Sequence, residues 1–81
     1  MAVMEATLKE LLVLAGAQRA VAEALRPDAP LVRQGIDSLD FPSFIGVLEE
    51  RFGLTIPEDE AWELRTLNDF AAYLDARVPK A

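Results

Sequence analysis

Two stretches of this chain carry the same apolar spacing, and that spacing leaves little choice of architecture. Phe41, Phe44, Ile45, Leu48 and Phe52 fall at relative positions 0, 3, 4, 7 and 11, and Leu67, Phe70, Ala71, Leu74 and Val78 repeat the pattern. Side chains three and four residues apart share one face of an α-helix, whereas a half-buried strand needs strict alternation, which appears nowhere. Leu8, Leu11, Leu12 and Ala15 make a third stripe, and apolar positions resume at Val21, Ala22 and Leu25. The spacing predicts a long first helix from residue 5 to about residue 25, with Gly16 either an interior glycine or a stop. Pro27 and Pro30 end helical character, and Leu31 and Val32 are expected to anchor the loop that follows. Gly53 stands where a left-handed C-terminal residue belongs. A short helix over 58–64, acidic in its first turn, and a capping box of Thr66 with Asp69 lead into a last helix that runs to about Arg77. The expected fold is all-α, a four-helix bundle of three longer helices plus one short helix before the last.

Eighty-one residues provide for a single domain, 1–81, that buries only about 60% of the surface its unfolded form exposes. Hydrophobic residues at 52% and charged residues at 27% exclude wholesale disorder. Cysteine and histidine are both absent, which removes disulfides, thiolate metal centres and the commonest general base. No catalytic or metal-ligating set is identified. No run reaches membrane-spanning length, and acidic Glu5 stands where a signal peptide would be basic, so a soluble, cytoplasmic monomer is expected.

The net charge is −6, unevenly placed: from Asp37 to Glu63 the sequence has eight acidic residues against one basic, Arg51. Such a field disfavours nucleic acid, whose phosphates need cations, and favours partners with basic patches. A solvated face that only promotes solubility accounts for the composition equally well.

Within that acidic span, Gly35-Ile36-Asp37-Ser38-Leu39-Asp40 delivers one serine to the start of a helix. Unpaired backbone N–H groups and the positive end of the helix dipole favour an anion there. If Asp37 or Asp40 caps the helix, the Ser38 hydroxyl is left to face solvent. Read locally, an N-cap is the simpler role for Ser38. With no histidine to activate it, and only Lys9 or Lys80 as a lysine base, Ser38 is a poor nucleophile for a hydrolase.

The stretch 31–74 resembles the acyl carrier protein family. Gly35-Ile36-Asp37-Ser38-Leu39 is similar to its phosphopantetheine attachment motif. Leu48-Glu49-Glu50-Arg51-Phe52-Gly53-Leu54-Thr55-Ile56-Pro57 is similar to the end of its second helix and the following loop, and Thr66-Leu67, Phe70 and Tyr73-Leu74 to its last helix. The resemblance implies a bundle of acyl-carrier type and a carrier rather than an enzyme. A phosphopantetheinyl transferase would move the arm of coenzyme A onto Ser38, and the arm's thiol would hold acyl groups as thioesters for fatty acid, polyketide or related biosynthetic enzymes. Asp37, Leu39, Asp40, Glu49 and Glu50 would form the surface read by acyl-loading and acyl-processing enzymes with basic docking patches. Taken alone, Leu39 reads equally well as a core leucine, and Glu49 and Glu50 more simply as a solvated face. An aminoacyl or peptidyl carrier shares the scaffold, and an unmodified helical interaction module is the reading from a different class. The short length favours a discrete carrier over a module of a larger synthase.

The sequence departs from the family pattern at Gln34, Pro42 and Ser43. Proline is tolerated only in a helix's first turn and disfavours helical geometry in the residue before it, so either the helix starts near Asp40 or its first turn at Ser38 is distorted. Tight packing is the expected reason for Gly46, with room for an acyl chain or a close helix contact as the alternative. Trp62 and Tyr73 are expected to be partly buried packing residues.

Overall fold

The computed structural model describes residues 5–77, which form five α-helices and no strand. They are α1 (Glu5–Leu14), α2 (Arg19–Glu23), α3 (Asp40–Phe52), α4 (Glu58–Ala61) and α5 (Leu67–Arg77), with a 3₁₀ turn at Leu31–Gln34. The all-α expectation holds, and α1 packs against α2, α3 and α5. Val78, the last position of the second stripe, lies outside the described residues.

The long first helix is broken in two, and Gly16 is the reason. Its φ of +122° is a left-handed conformation that costs a residue with a Cβ dearly. Across it Ala17 N–H reaches the Leu12 carbonyl at 3.0 Å and Gly16 N–H the Val13 carbonyl at 3.1 Å, the paired bonds of a Schellman stop. The chain reverses and α2 returns beside α1. Arg19 then bonds both carboxylate oxygens of Glu10, at 2.9 and 3.3 Å. Burial of Leu8, Leu11 and Leu12 on α1 and of Ala22 on α2 holds this hairpin more firmly than that exposed ion pair does.

The core forms where the predicted stripes meet. Phe44 and Leu48 of α3 and Leu67, Phe70 and Leu74 of α5 are almost completely buried with Leu8, Leu12 and Leu31. The Phe44 and Phe70 rings sit edge to face, centroids 5.0 Å apart at 66°, worth about 0.5–1.5 kcal/mol beyond their area. Thr66 and Asp69 form the expected reciprocal box: Thr66 N–H donates to Asp69 Oδ2 at 3.2 Å, and Asp69 N–H to Thr66 Oγ1 at 3.0 Å. Gly53 ends α3 in the left-handed region, also as expected.

Several smaller expectations fail. The short helix stops at Ala61, continuing only as turns through Glu63. Leu31 is fully buried, but the tight 3₁₀ turn rotates Val32 outward, leaving it 54% exposed. Trp62 is not a packing residue: four-residue α4 is too short to bury a face of its own, and the indole stands 74% exposed. Tyr73, by contrast, is half-buried against the core as expected, and its hydroxyl donates to Glu60 Oε1 at 2.6 Å. Arg77 bonds the same oxygen at 3.1 Å, and its guanidinium carbon lies 3.7 Å over the Tyr73 ring. Burial, with the hydrogen bond to the Glu60 carboxylate, raises the Tyr73 hydroxyl above its ordinary pKa.

Candidate functional site

The segment before α3 is fixed from both ends. Ile36 is 3% exposed and anchors it from below. Upstream, Gly35 turns the chain at φ +99°, and a Cβ there would stand 3.4 Å from a Val21 methyl. Gln34, which sequence reasoning noted only as a departure, clamps the preceding loop. Its Oε1 accepts from Arg26 N–H at 2.7 Å, while its Nε2 donates to the Arg26 and Ala29 carbonyls, each at 3.0 Å. Leu31 N–H bonds the Arg65 carbonyl at 2.9 Å and Asn68 N–H the Pro27 carbonyl at 3.0 Å, tying this loop to the start of α5.

Downstream, the Asp37 carboxylate accepts Leu39 N–H at 2.9 Å, and the Asp37 carbonyl accepts Asp40 N–H at 2.9 Å. An aspartate bonding the backbone two residues on makes an Asx turn that leads into α3, which has no side-chain cap of its own. The Ser38 side chain makes no hydrogen bond among the described residues and is exposed. Ser38 and Leu39 form the turn, and α3 begins at Asp40, so that Pro42 lies in the first turn as a proline must. The result is an unengaged hydroxyl at the positive end of a thirteen-residue helix, one turn before its backbone is fully paired.

The five residues expected to face partners divide. Leu39 is 80% exposed and outside the core. Asp37 is exposed but bonded to Leu39 N–H. Asp40 is half-buried beside the α1–α2 turn, its Oδ1 3.3 Å from where a Cβ on Gly16 would lie. Glu50 is exposed on α3. Glu49 is half-buried, and its Oε2 accepts Ile56 N–H at 2.7 Å, which joins α3 to the extended connector after Gly53. No sequence signal pointed to that bond.

Ser38 opens onto a groove of about 810 Å³ between α3, the 3₁₀ turn and α4. Phe41, Pro42, Ile45, Ile56, Trp62 and Leu64 contribute apolar walls. Gly46 lies on this lining, and a Cβ there would meet nothing within 4 Å, so neither tight packing nor a close helix contact accounts for the glycine. The apolar stripe of α3 therefore serves two surfaces: Phe44 and Leu48 enter the core, and Phe41 and Ile45 face the groove.

This arrangement fits a phosphopantetheine group. A phosphodiester needs an accessible hydroxyl in an electropositive backbone setting, and an adjoining apolar groove suits the arm and what it bears.

Comparison with known proteins agrees. The family described as Phosphopantetheine attachment site matches residues 7–74. An acyl carrier protein of Helicobacter hepaticus is 34% identical over 56 residues, covering 68% of this chain and 74% of that protein. The acyl carrier protein of Nitratidesulfovibrio vulgaris is 39% identical over 54 residues, 65% of this chain and 71% of the relative. That of Bdellovibrio bacteriovorus is 42% identical over 43 residues, 53% of this chain and 55% of its own length. With the helical fold and an unengaged serine hydroxyl at the head of α3, these matches show that the chain belongs to the acyl carrier protein family, phosphopantetheine-bearing carriers that have no catalytic activity of their own.

Proposed function

We propose that Ser38 is the attachment point and that the chain carries acyl intermediates as thioesters for fatty acid, polyketide or related biosynthetic enzymes. The observation that carries this reading is the Ser38 hydroxyl, exposed and without a hydrogen-bond partner among the described residues, while the Asp40 and Phe41 N–H groups that it would cap bond the Asp37 and Ser38 carbonyls. In the active site of a transferase, Ser38 Oγ attacks phosphorus, the pyrophosphate bond of coenzyme A breaks, and the nucleotide leaves. The serine proton passes to a base of the transferase, since this chain has no histidine to receive it. The attached arm supplies the thiol that a chain without cysteine lacks.

Leu39 and Glu50, exposed near the start and along the length of α3, with Asp37 beside Ser38, present an apolar contact framed by carboxylates to enzymes with basic docking patches. Coexpression with a broad-specificity phosphopantetheinyl transferase tests the assignment. Intact mass should rise by one arm in the unaltered protein and stay unchanged in Ser38→Ala. A Ser38→Ala protein that still gains the arm would place attachment elsewhere. The mass of the protein from its native host would further report the cargo, separating acyl from aminoacyl and peptidyl carriage.

A further inference from the structure

Two cations share the groove with Ser38. Arg33 lines it from the 3₁₀ turn and Arg65 from the segment before α5, and the bond from Leu31 N–H to the Arg65 carbonyl ties the start of that turn to this segment. Neither guanidinium has a hydrogen bond or ion pair among the described residues, whereas Arg19 is paired with Glu10 and Arg77 with Glu60. Two carboxylates also reach the lining. Glu49 is engaged by Ile56 N–H, and Glu58 stands exposed in the first turn of α4. Among the described residues the groove thus has two unpaired cations against one unpaired carboxylate, in a chain whose net charge is −6.

We propose that Arg33 and Arg65 form an anion subsite, and that the cargo this groove takes is an acyl group ending in a carboxylate. The proposal rests on Ser38 bearing the arm. A hydrocarbon end offers these exposed guanidiniums no acceptor, so they stay with water and leave its binding unchanged. A carboxylate end would accept paired N–H bonds from a guanidinium fork. The apolar walls of Phe41, Ile45 and Trp62 then take the methylene stem, with Gly46 leaving space beside it.

The experiment loads the full chain, through a broad-specificity transferase, from hexanoyl-coenzyme A or from adipoyl-coenzyme A, whose acyl group has the same length but a terminal carboxylate. The readout is the rate of thioester cleavage by hydroxylamine, followed by mass. The adipoyl form should be cleaved roughly tenfold more slowly than the hexanoyl form, the effect of one charge-assisted hydrogen bond. The pair Arg33→Gln and Arg65→Gln should abolish that protection and leave the hexanoyl rate unchanged. Both positions are exposed, and circular dichroism should show the variant folded. Equal rates for the two cargoes in the unaltered protein would overturn the subsite. A rate change common to both cargoes in the variant would overturn it too, assigning the arginines to the arm's phosphate. Failure to gain mass at loading would instead refute the Ser38 attachment, so the two readings fail separately.

Discussion

Replacing Glu49 by alanine separates a fold-holding carboxylate from a partner-facing one. Its Oε2 accepts Ile56 N–H at 2.7 Å, and Ile56 is 5% exposed, so removing the acceptor leaves a backbone donor facing apolar surroundings. An unsatisfied buried donor costs about 1–3 kcal/mol, and about 2 kcal/mol is the central expectation here. For a domain of this size, each kcal/mol moves the melting temperature by about 4–8 °C, so Glu49→Ala should melt about 8–16 °C lower. Glu49→Gln keeps a carbonyl acceptor and loses only the charge, so it should fall by less than half as much. Glu50→Ala, one residue on but exposed, should stay within about 0.5 kcal/mol, or about 2–4 °C. Thermal unfolding followed by circular dichroism in one buffer makes the comparison. Equal melting temperatures for Glu49→Ala and Glu50→Ala would refute the reasoning and return Glu49 to the solvated face. If the ranking holds, weaker partner binding by a Glu49 variant reports damage to the fold as well as loss of a contact.

Two glycine substitutions are read by urea unfolding. Gly16→Ala should destabilise by about 1–2 kcal/mol, because alanine resists the +122° φ and its Cβ would crowd Asp40 at 3.3 Å. Gly46→Ala should stabilise by about 0.5–1 kcal/mol, because it removes a mid-helix glycine where a Cβ meets nothing. The two shifts appear as urea midpoints moving in opposite directions with unchanged m-values. Tyr73 has a raised pKa in the folded state, so its contribution is fully present below its unfolded value of 10.0 and is lost as pH rises through the folded one. The stability difference between the unaltered protein and Tyr73→Phe should therefore be constant at neutral pH and shrink above about 10. A difference that stays flat through that range would remove the Glu60 bond as its cause.

What was legible in the chain was what neighbouring residues decide. The stripes of α3 and α5, the Gly53 stop and the reciprocal bonds of Thr66 and Asp69 all arise within one or two helical turns, where spacing and geometry correspond directly. That an aspartate beside Ser38 could engage the backbone was legible for the same reason, with Asp37 and Asp40 both open, and the bond from Leu39 N–H selects Asp37. Contacts closed by the path of the chain were hidden. Gln34 reaches back to Arg26 around a turn whose course no local pattern encodes. Glu49 meets Ile56 only because the connector doubles back past Gly53. Periodicity also shows that a face is apolar without showing what covers it. Phe41 and Phe44 belong to one stripe, yet one lines the groove and the other is sealed in the core. Trp62 was misread because a single aromatic residue beside a short helix has no periodic neighbours to orient it.

The α4 segment that walls the groove contributes no fully buried residue of its own, and its Glu60 is held from outside by the Tyr73 hydroxyl and Arg77. Cohesion in a small protein is uneven, and the segments least rooted in the interior open first. Loosening that one peripheral polar clasp would disturb a wall of the groove without touching the Phe44–Phe70 contact beneath. The α4 wall and the aromatic pair of the interior are, in this molecule, held by different sets of atoms.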